Sequence, residues 1–223
     1  SFKRKLIATI AIAFIVVISC THQSKVRVSP PLGPDTSIEF TPVSLSIPVH
    51  FPQPIIPGDN QPCKERILLG RMLYYDTSLS NDGRSCSGCH IQANGFTMPG
   101  LFNNSMPVLP HVNMAWHSNF MWDGSKSGTL EDVMHFEVAS FFATDLNKIN
   151  QNTVYRSLVK RYFGASTITY KELSYSLAQF LRTVISRDSK YDRFLKGQAT
   201  LTTDENLGYR IFFSEKGDCF HCH

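Results

Sequence analysis

The sequence has few charged residues, and their charges nearly cancel. Charged residues make up 18% of the 223 residues, and the formal net charge is +4. Lys3, Arg4 and Lys5 stand together near the N-terminus, and the rest of the chain is close to neutral. A nucleic-acid partner requires a clustered cationic face, so that class of partner is excluded. The 42% hydrophobic content excludes a disordered chain, and the length suffices for one sizeable domain or two small ones.

The sequence also lacks an apolar run long enough to span a membrane. Leu6 to Ile18 form an apolar stretch of about 13 residues, whereas a spanning helix needs about 20. Basic residues followed by a short apolar run are typical of a signal peptide, which we assign to residues 1–19. The VISC sequence resembles the lipobox of bacterial lipoproteins, which implies cleavage before Cys20 and a lipid on its thiol. An uncleaved signal anchor is the alternative. Both place the rest of the chain in the periplasm or cell envelope, held at a membrane.

Proline is absent after Pro110. Nine of the 12 prolines lie between Pro30 and Pro62. Proline fixes φ and removes a hydrogen-bond donor, so residues 20–61 are predicted to form an extended, poorly packed tether. The second half of the chain contains no such helix breaker and is free to be largely helical.

Hydrophobic periodicity and capping residues predict an all-α fold. Helices are predicted over residues 64–75, from Thr129, over 152–163, from Thr169 and over 203–213. The stretch from Asp76 to Gly128 is rich in Gly, Asn, Ser and Met and shows little periodicity. No strand pattern persists, so the fold class is all-α with long functional loops.

The cysteines carry the strongest chemical signal. Two copies of C-x-x-C-H occur, CSGCH at 86–90 and CFHCH at 219–223. This is the attachment signature of c-type haem, in which two thiols bond the porphyrin vinyl groups and the histidine binds the iron. Two covalently bound haems c are therefore predicted, one on Cys86, Cys89 and His90 and one on Cys219, Cys222 and His223. Cys63 is predicted to be a buried or idle thiol.

Three other interpretations of these cysteines compete with haem. A redox dithiol is disfavoured because no βαβ pattern surrounds either motif and both continue into histidine. A zinc site is disfavoured because a long chain segment separates the two cysteine pairs. Structural disulfides are possible in an exported protein, but cysteines this close would close only small loops.

The segments around the motifs narrow the function further. LGRMLYYD at 69–76 and LSNDG at 79–83 precede the first motif, and LGYRIFF at 207–213 precedes the second. Between the motifs stand FT at 96–97, NMAW at 113–116, FMWDG at 120–124 and LE at 130–131. In this order the segments resemble those of the bacterial di-haem cytochrome c peroxidases and the related MauG-type enzymes, over about residues 62–223.

The resemblance implies two helical, cytochrome c-like domains with one haem each. We assign the N-terminal, peroxidatic haem domain to residues 62–166 and the start of the C-terminal, electron-transfer haem domain to residues 167–223. Trp122 matches the tryptophan that lies between the two haems in that family, and Asn113 matches an asparagine that helps to bind calcium. Calcium is therefore a further expected cofactor.

Peroxide reduction also needs an acid–base group beside the haem, which moves a proton from one peroxide oxygen to the other. The resemblance implies a glutamate, which the family carries in a segment of Asn-Pro-x-Glu-Met type. Here the sequence departs from the family, and Glu137 is the nearest candidate although it comes several residues early. His135 is an alternative base.

The resting sixth ligand of the first haem is left open by the sequence. In many family members a histidine of the loop before the Asn113 position fills that site. His111 and His117 lie in this stretch, but neither is fixed by a matching motif. The candidate thioether ligands, for which packing is the favoured interpretation, are Met98, Met106 and Met114.

The resemblance therefore predicts a di-haem cytochrome c peroxidase that reduces hydrogen peroxide to water. Electrons would come from a small cytochrome c or another periplasmic donor, and a homodimer is a further expectation. One alternative is a MauG-like oxidase that acts on a partner protein or organic substrate, and another is a plain electron carrier. Because the chain begins with Ser1 and ends at His223 inside the second motif, we expect a fragment of a longer product.

Overall fold

The protein is largely helical. The structure, a computed structural model, describes residues 38–102 and 105–222. The helices are α1 (Lys64–Tyr75), α2 (Cys86–Cys89), α3 (Leu130–Phe136), α4 (Leu146–Gln151), α5 (Thr153–Phe163), α6 (Tyr170–Arg182), α7 (Lys190–Leu195) and α8 (Thr203–Phe212). A π-helix, Glu137–Phe141, continues α3. Among the described residues no helix is long and apolar enough to cross a membrane. The predicted signal peptide and lipid-bearing Cys20 fall outside these ranges.

The capping residues place the helix ends where the sequence predicts them. Thr129 and Thr169 each close a capping box, in which the threonine side chain and the acid three residues later satisfy each other's backbone N–H groups. Gly164 ends α5 with φ +71°, a left-handed conformation that glycine adopts without steric cost. These predicted boundaries are confirmed.

Short irregular elements fill the long segment between α1 and α3. Single 3₁₀ turns occur at Thr77–Leu79, Gln92–Asn94 and Met114–Trp116, in addition to an earlier one at Gly58–Asn60. Two antiparallel pairs of two-residue strands lie here, β1 (Leu101–Phe102) with β2 (Met106–Pro107), and β3 (Asn119–Phe120) with β4 (Lys126–Ser127). The segment is therefore a series of loops, as the weak periodicity predicts, with local strand pairing that the sequence did not signal.

Helices α1 and α6 form the centre of the core, and they approach most closely at Gly70. A Cβ atom on Gly70 would lie 1.8 Å from the carbonyl oxygen of Ser176, so only glycine fits at this crossing. Leu69 and Leu73 of α1 and Leu177 of α6 are almost fully buried around it. The glycine of the LGR sequence is thus explained by helix packing.

A buried ion pair joins α3 to α6. Both guanidinium NH groups of Arg182 reach the carboxylate of Glu131 at 2.5 Å. The amide of Asn60 donates to the same carboxylate, and Gln179 donates to Asn60 in turn. Each charge is therefore hydrogen-bonded, which buried ion pairs require for stability.

Helix α6, which the predicted boundary between residues 166 and 167 assigns to the second haem domain, packs against α1 and α3. Leu173 and Leu181 of α6 belong to the same buried cluster as Leu69 of α1. A helix cannot be separated from the partners that bury its apolar face, so α6 belongs to the first packed unit.

The described part of the predicted tether lies on the helices instead of extending away from them. Glu39 forms an ion pair with Arg161 of α5. Pro42 pairs with Cys63 in an isolated β-bridge, and the indole N–H of Trp116 donates to the carbonyl of Pro52 at 2.7 Å. From residue 38 onward the segment is a strap held by backbone and side-chain hydrogen bonds, which proline content alone did not predict.

Candidate functional site

The first C-x-x-C-H motif forms a single helical turn at the edge of the core. Cys86 and Cys89 begin and end α2, and the backbone N–H of His90 donates to the carbonyl of Cys86 at 2.8 Å. The turn brings both thiols to one short segment, and both are free. Burial, followed by the nearby charge of Glu137, raises the pKa of Cys86, so this thiol stays protonated.

The ring of His90 is oriented by a backbone carbonyl. Its Nδ1 lies 3.2 Å from the carbonyl oxygen of Phe96. A carbonyl only accepts, so Nδ1 carries the proton and Nε2 keeps its lone pair. Burial lowers the pKa of His90 to about 4, which keeps the ring neutral at physiological pH. A neutral imidazole whose other nitrogen donates to a carbonyl is the usual form of a metal-ligating histidine.

A second histidine lies against this ring. The imidazoles of His90 and His111 are stacked, with centroids 3.3 Å apart and planes 12° from parallel. The hydroxyl of Tyr74 lies 3.2 Å from His111 Nδ1 and 3.3 Å from the carbonyl oxygen of His90. Burial lowers the pKa of His111 and raises that of Tyr74. The sequence placed His111 in the correct stretch, but only the fold shows this contact.

A groove of 470 Å³ opens beside the motif. Its lining includes Gln92 and Phe96, Phe180 of α6 and Val184 just after that helix. Arg71 of α1 also lines it. The volume lies within the range of small-molecule sites, and the lining combines apolar surface with one positive charge.

The residues of the first motif fit a covalently attached haem better than a zinc site or a structural disulfide. The free thiols and the neutral His90 with an available Nε2 are the groups that haem attachment requires. Among the described residues, the one group of His, Cys, Asp and Glu side chains close enough to share a metal ion is Glu215, Asp218 and His221, which contains no cysteine. A cysteine-ligated zinc site and structural disulfides are therefore not supported within residues 38–102 and 105–222.

Glu137 lies next to the first motif although it is distant in sequence. It begins the π-helix, and its carboxyl is close enough to Cys86 for its charge to raise the pKa of that thiol. Burial raises the pKa of Glu137 itself to about 7. Single π-helical turns inside α-helices are rare and frequently occur at functional sites. A carboxyl group with this pKa can both take and give a proton near neutral pH.

The other candidate catalytic side chains are exposed. His135 is exposed and lies edge-on to Tyr170, with ring centroids 5.8 Å apart. Trp122, which follows β3, is 57% exposed and is therefore not a core aromatic residue. Its surface position leaves the indole available to a group outside the described residues.

Asn113 forms a hydrogen-bonded clamp between its own loop, which joins β2 to β3, and the segment after α6. It has a left-handed φ of +58°, its side-chain oxygen accepts the N–H of Ser186 at 2.8 Å, and its amide donates to the Ser186 carbonyl. Its backbone N–H donates to Val184. This clamp accounts for the asparagine structurally, and the calcium role stays a prediction.

The remaining candidate ligands are scattered. His117 and Met106 are exposed, and Met98 is half-buried. Met114 is 7% exposed and packs in the hydrophobic core, as the packing interpretation predicts. Cys63 is fully buried, which confirms that prediction.

The second motif forms a turn that follows α8. The backbone N–H of Cys222 donates to the carbonyl of Cys219, and both thiols are free. Cys219 is half-buried and Cys222 is exposed. His223 lies outside the described residues.

Comparison with known proteins gives a consistent result. A family model described as di-haem cytochrome c peroxidase matches residues 64–200, which include the first motif but not the second. The methylamine utilization protein MauG of Methylophilus methylotrophus is 28% identical over 79% of this chain and 56% of its own length. Cytochrome-c peroxidase IdrP2 of Denitromonas iodatirespirans is 32% identical over 71% of this chain and 47% of its own length.

A solved structure and a further relative extend the comparison. The crystal structure of a MauG-like protein associated with microbial copper homeostasis matches with a TM-score of 0.69 and 28% identity, over 81% of this chain and 58% of that one. Cytochrome c551 peroxidase of Nitrosomonas europaea is 27% identical over 81% of this chain and 61% of its own length. The chain thus spans about half the length of the curated relatives it matches.

Proposed function

Because the chain belongs to the di-haem cytochrome c peroxidase family, whose members bind haem c covalently, we propose that it supplies the peroxide-reacting site of a periplasmic peroxidase. The enzyme reduces hydrogen peroxide to water with electrons from a small cytochrome c or a similar donor. Haem, when bound at this site, supplies an iron that binds peroxide and exchanges electrons with it. The protein's part is to hold that iron and to move protons.

Cys86, Cys89 and His90 hold the first haem in this proposal. The two thiols form thioether bonds, and His90 presents Nε2 to the iron while the Phe96 carbonyl fixes its ring. Cys219, Cys222 and His223 hold the second haem, which receives electrons from the donor. Calcium binding at Asn113 belongs to the proposal as well.

Glu137 is the acid–base group in this proposal. Cleavage of the O–O bond to give water requires a proton to leave one peroxide oxygen and reach the other. The observation that carries this role is a half-buried carboxyl whose pKa is raised to about 7 and whose charge acts on Cys86. Burial is the cause of the raised pKa of Glu137, and no ion pair of this carboxyl is found among the described residues.

The packing of α6 with α1 and α3 supports a domain organisation that we propose as well. We place the first haem domain from residue 62 to the end of α6, one unit with a shared core, and the second haem domain after it. The strap over residues 38–61 joins this unit to a signal peptide at residues 1–19, and a lipid on Cys20 anchors the protein in the cell envelope. A homodimer is part of the same proposal.

The activity is tested with the haem-loaded, full-length protein. The protein is reduced by one electron and mixed with hydrogen peroxide, and the oxidation of a reduced small cytochrome c is followed. Catalytic oxidation supports the peroxidase. The absence of any haem response to peroxide would overturn it in favour of an electron carrier.

The role of Glu137 is tested by Glu137→Gln, which keeps the shape and removes the acid. We expect peroxide turnover to fall at least about tenfold, with an unchanged haem content. Asp188→Asn, an exposed carboxylate of the same chain, serves as the matched control and leaves turnover unchanged. Unchanged turnover in Glu137→Gln, together with a loss in His135→Gln, would move the role to His135.

A MauG-like oxidase is the second candidate. Two comparisons favour it, the Methylophilus MauG and the MauG-like structure. The exposed indole of Trp122 offers an oxidisable side chain at the surface, where a partner protein could donate electrons. A haem response to peroxide without oxidation of the reduced cytochrome would select this candidate over the peroxidase.

A further inference from the structure

The ring of His90 meets the carbonyl of Phe96, the backbone of Leu109 and the ring of His111. A histidine ring rotates with little preference about its Cβ–Cγ bond, so a contact with the face of the ring adds a constraint that hydrogen bonds at its edge do not give. The parallel face of His111, 3.3 Å away, blocks that rotation. The carbonyl therefore fixes the position of one nitrogen, and the stacked ring fixes the plane.

One carbonyl ties the two histidines together. The carbonyl oxygen of Phe96 lies 3.2 Å from His90 Nδ1 and accepts the backbone N–H of His111 at 3.1 Å. Phe96 has a φ of +62°, which is a steric outlier for a bulky residue. Such strain persists only where surrounding contacts enforce it, and here it directs this carbonyl at both histidines.

Tyr74 holds His111 from the core side. Its side chain is fully buried in α1, and its hydroxyl contacts both the His90 carbonyl and His111 Nδ1. A carbonyl only accepts, so Tyr74 donates to His90 and accepts the Nδ1–H of His111. The stacked ring is thus anchored to a rigid helix.

His90 and His111 contact each other through the faces of their rings. A histidine would bind the haem iron through a ring nitrogen, so this contact makes His111 a neighbour of the ligand. His111 supports the ligand His90 from the side, and no step of peroxide reduction is assigned to it.

We propose that His111, anchored by Tyr74, is a positioning residue that fixes the ring plane of His90 at the first haem. The inference rests on the proposed function, because it requires His90 to bind the haem iron. A fixed ligand plane gives the iron one electronic environment, and outer contacts of this kind change the reactivity of the metal that they support.

The test is His111→Leu in the haem-loaded, full-length protein. We expect the haem content to be unchanged, because Cys86 and Cys89 still attach the porphyrin. The electron paramagnetic resonance spectrum of the first ferric haem should broaden or split into several species, and peroxide turnover should fall about tenfold. His50→Leu, which removes a half-buried histidine that pairs with Asp192, is the control and leaves both unchanged.

A double-mutant cycle separates positioning from general packing. Tyr74→Phe keeps the buried ring and should give a smaller spectral change of the same kind, and it should add nothing in the His111→Leu background. Tyr75→Phe is the matched control, because its hydroxyl bonds Gln92 on the exposed side. A Tyr74→Phe effect that persists in the double variant would overturn the proposed anchor.

Three results distinguish a failure of the positioning role of His111 from a failure of the proposed function. An unchanged spectrum in His111→Leu, with His90 shown to bind iron, would overturn the positioning role alone. Conversion to a high-spin haem would show that His111 is an axial ligand, which also overturns it. A wild-type protein without haem on residues 86–90 would overturn the proposed function itself.

Discussion

Glu131 and Glu137 lie on one helical segment, α3 and its π-helical continuation, but their surroundings are opposite. Glu131 is 4% exposed and is held by Arg182 and Asn60. Glu137 is half-buried, no ion pair of its carboxyl is found among the described residues, and burial raises its pKa to about 7. A carboxyl that burial shifts in this way gains a proton and becomes available for acid–base chemistry, whereas the carboxylate of Glu131 is occupied by its hydrogen bonds.

Glu137 comes six positions after Glu131, so at about 100° per residue the two side chains lie on different faces of the helical segment. Glu131 faces α6 within the regular helix, where Arg182 meets it. Glu137 begins the π-helix, where the N–H of Phe142 reaches the carbonyl of Glu137 at 2.8 Å. Its carboxyl therefore lies away from the ion pair.

The largest expected effect comes from breaking the ion pair between Glu131 and Arg182. Glu131→Gln leaves Arg182 as a buried, uncompensated charge, so the free energy of unfolding should fall by about 3–5 kcal/mol, measured by urea titration. Glu131→Leu combined with Arg182→Met should recover most of the loss. Glu39→Gln breaks an exposed pair and should change little. A loss in Glu131→Gln no larger than in Glu39→Gln would contradict the structural role.

The second largest expected effect comes from a substitution at the crossing of α1 with α6, the helix that carries Arg182. Gly70→Ala puts a methyl group against the backbone of Ser176, so we expect a loss of about 3 kcal/mol in the free energy of unfolding. Gly208→Ala in α8 is the matched control, because no atom lies within 4 Å of the added carbon. Its expected change is a gain of up to about 1 kcal/mol from helix propensity. Equal behaviour of the two variants would show that α1 and α6 are not closely packed at Gly70.

The smallest expected effect is a pH dependence of the stability, which arises from Glu137. Because burial raises the pKa of Glu137 from 4.5 to about 7, the folded state keeps a proton that the unfolded chain has lost between these values. Stability contributed by this group is therefore present below pH 4.5 and is lost as the pH rises through about 7. Glu137→Gln cannot ionise, so it should match wild type at pH about 5 and exceed it by about 2 kcal/mol at pH about 8.

Urea titrations at the two pH values check this prediction. Glu131→Gln is the internal control, because it should be less stable than wild type at both. A Glu137→Gln variant that is less stable than wild type at the higher pH would show that the carboxylate has an unrecognised partner.

Local signals predicted the helices well because they depend on neighbouring residues. Thr129 and Thr169 act on N–H groups within one turn, and Gly164 ends α5 through its own backbone. The haem motif is equally local, since Cys86, Cys89 and His90 occupy a single turn. Proline content, in contrast, did not predict the contacts that residues 38–61 of the predicted tether make with the helices, because proline limits backbone hydrogen bonding but does not prevent packing.

The sequence by itself determined the helical class, the helix ends and the two C-x-x-C-H motifs, because each follows from residues within a few positions of one another. The tertiary structure alone decided that α6 packs with α1, that Glu131 but not Glu137 is paired among the described residues, and that Tyr74 and His111 contact His90. These properties depend on burial and on contacts between distant segments. Desolvation and pairing set the chemistry of a side chain, and both are created only when the chain folds.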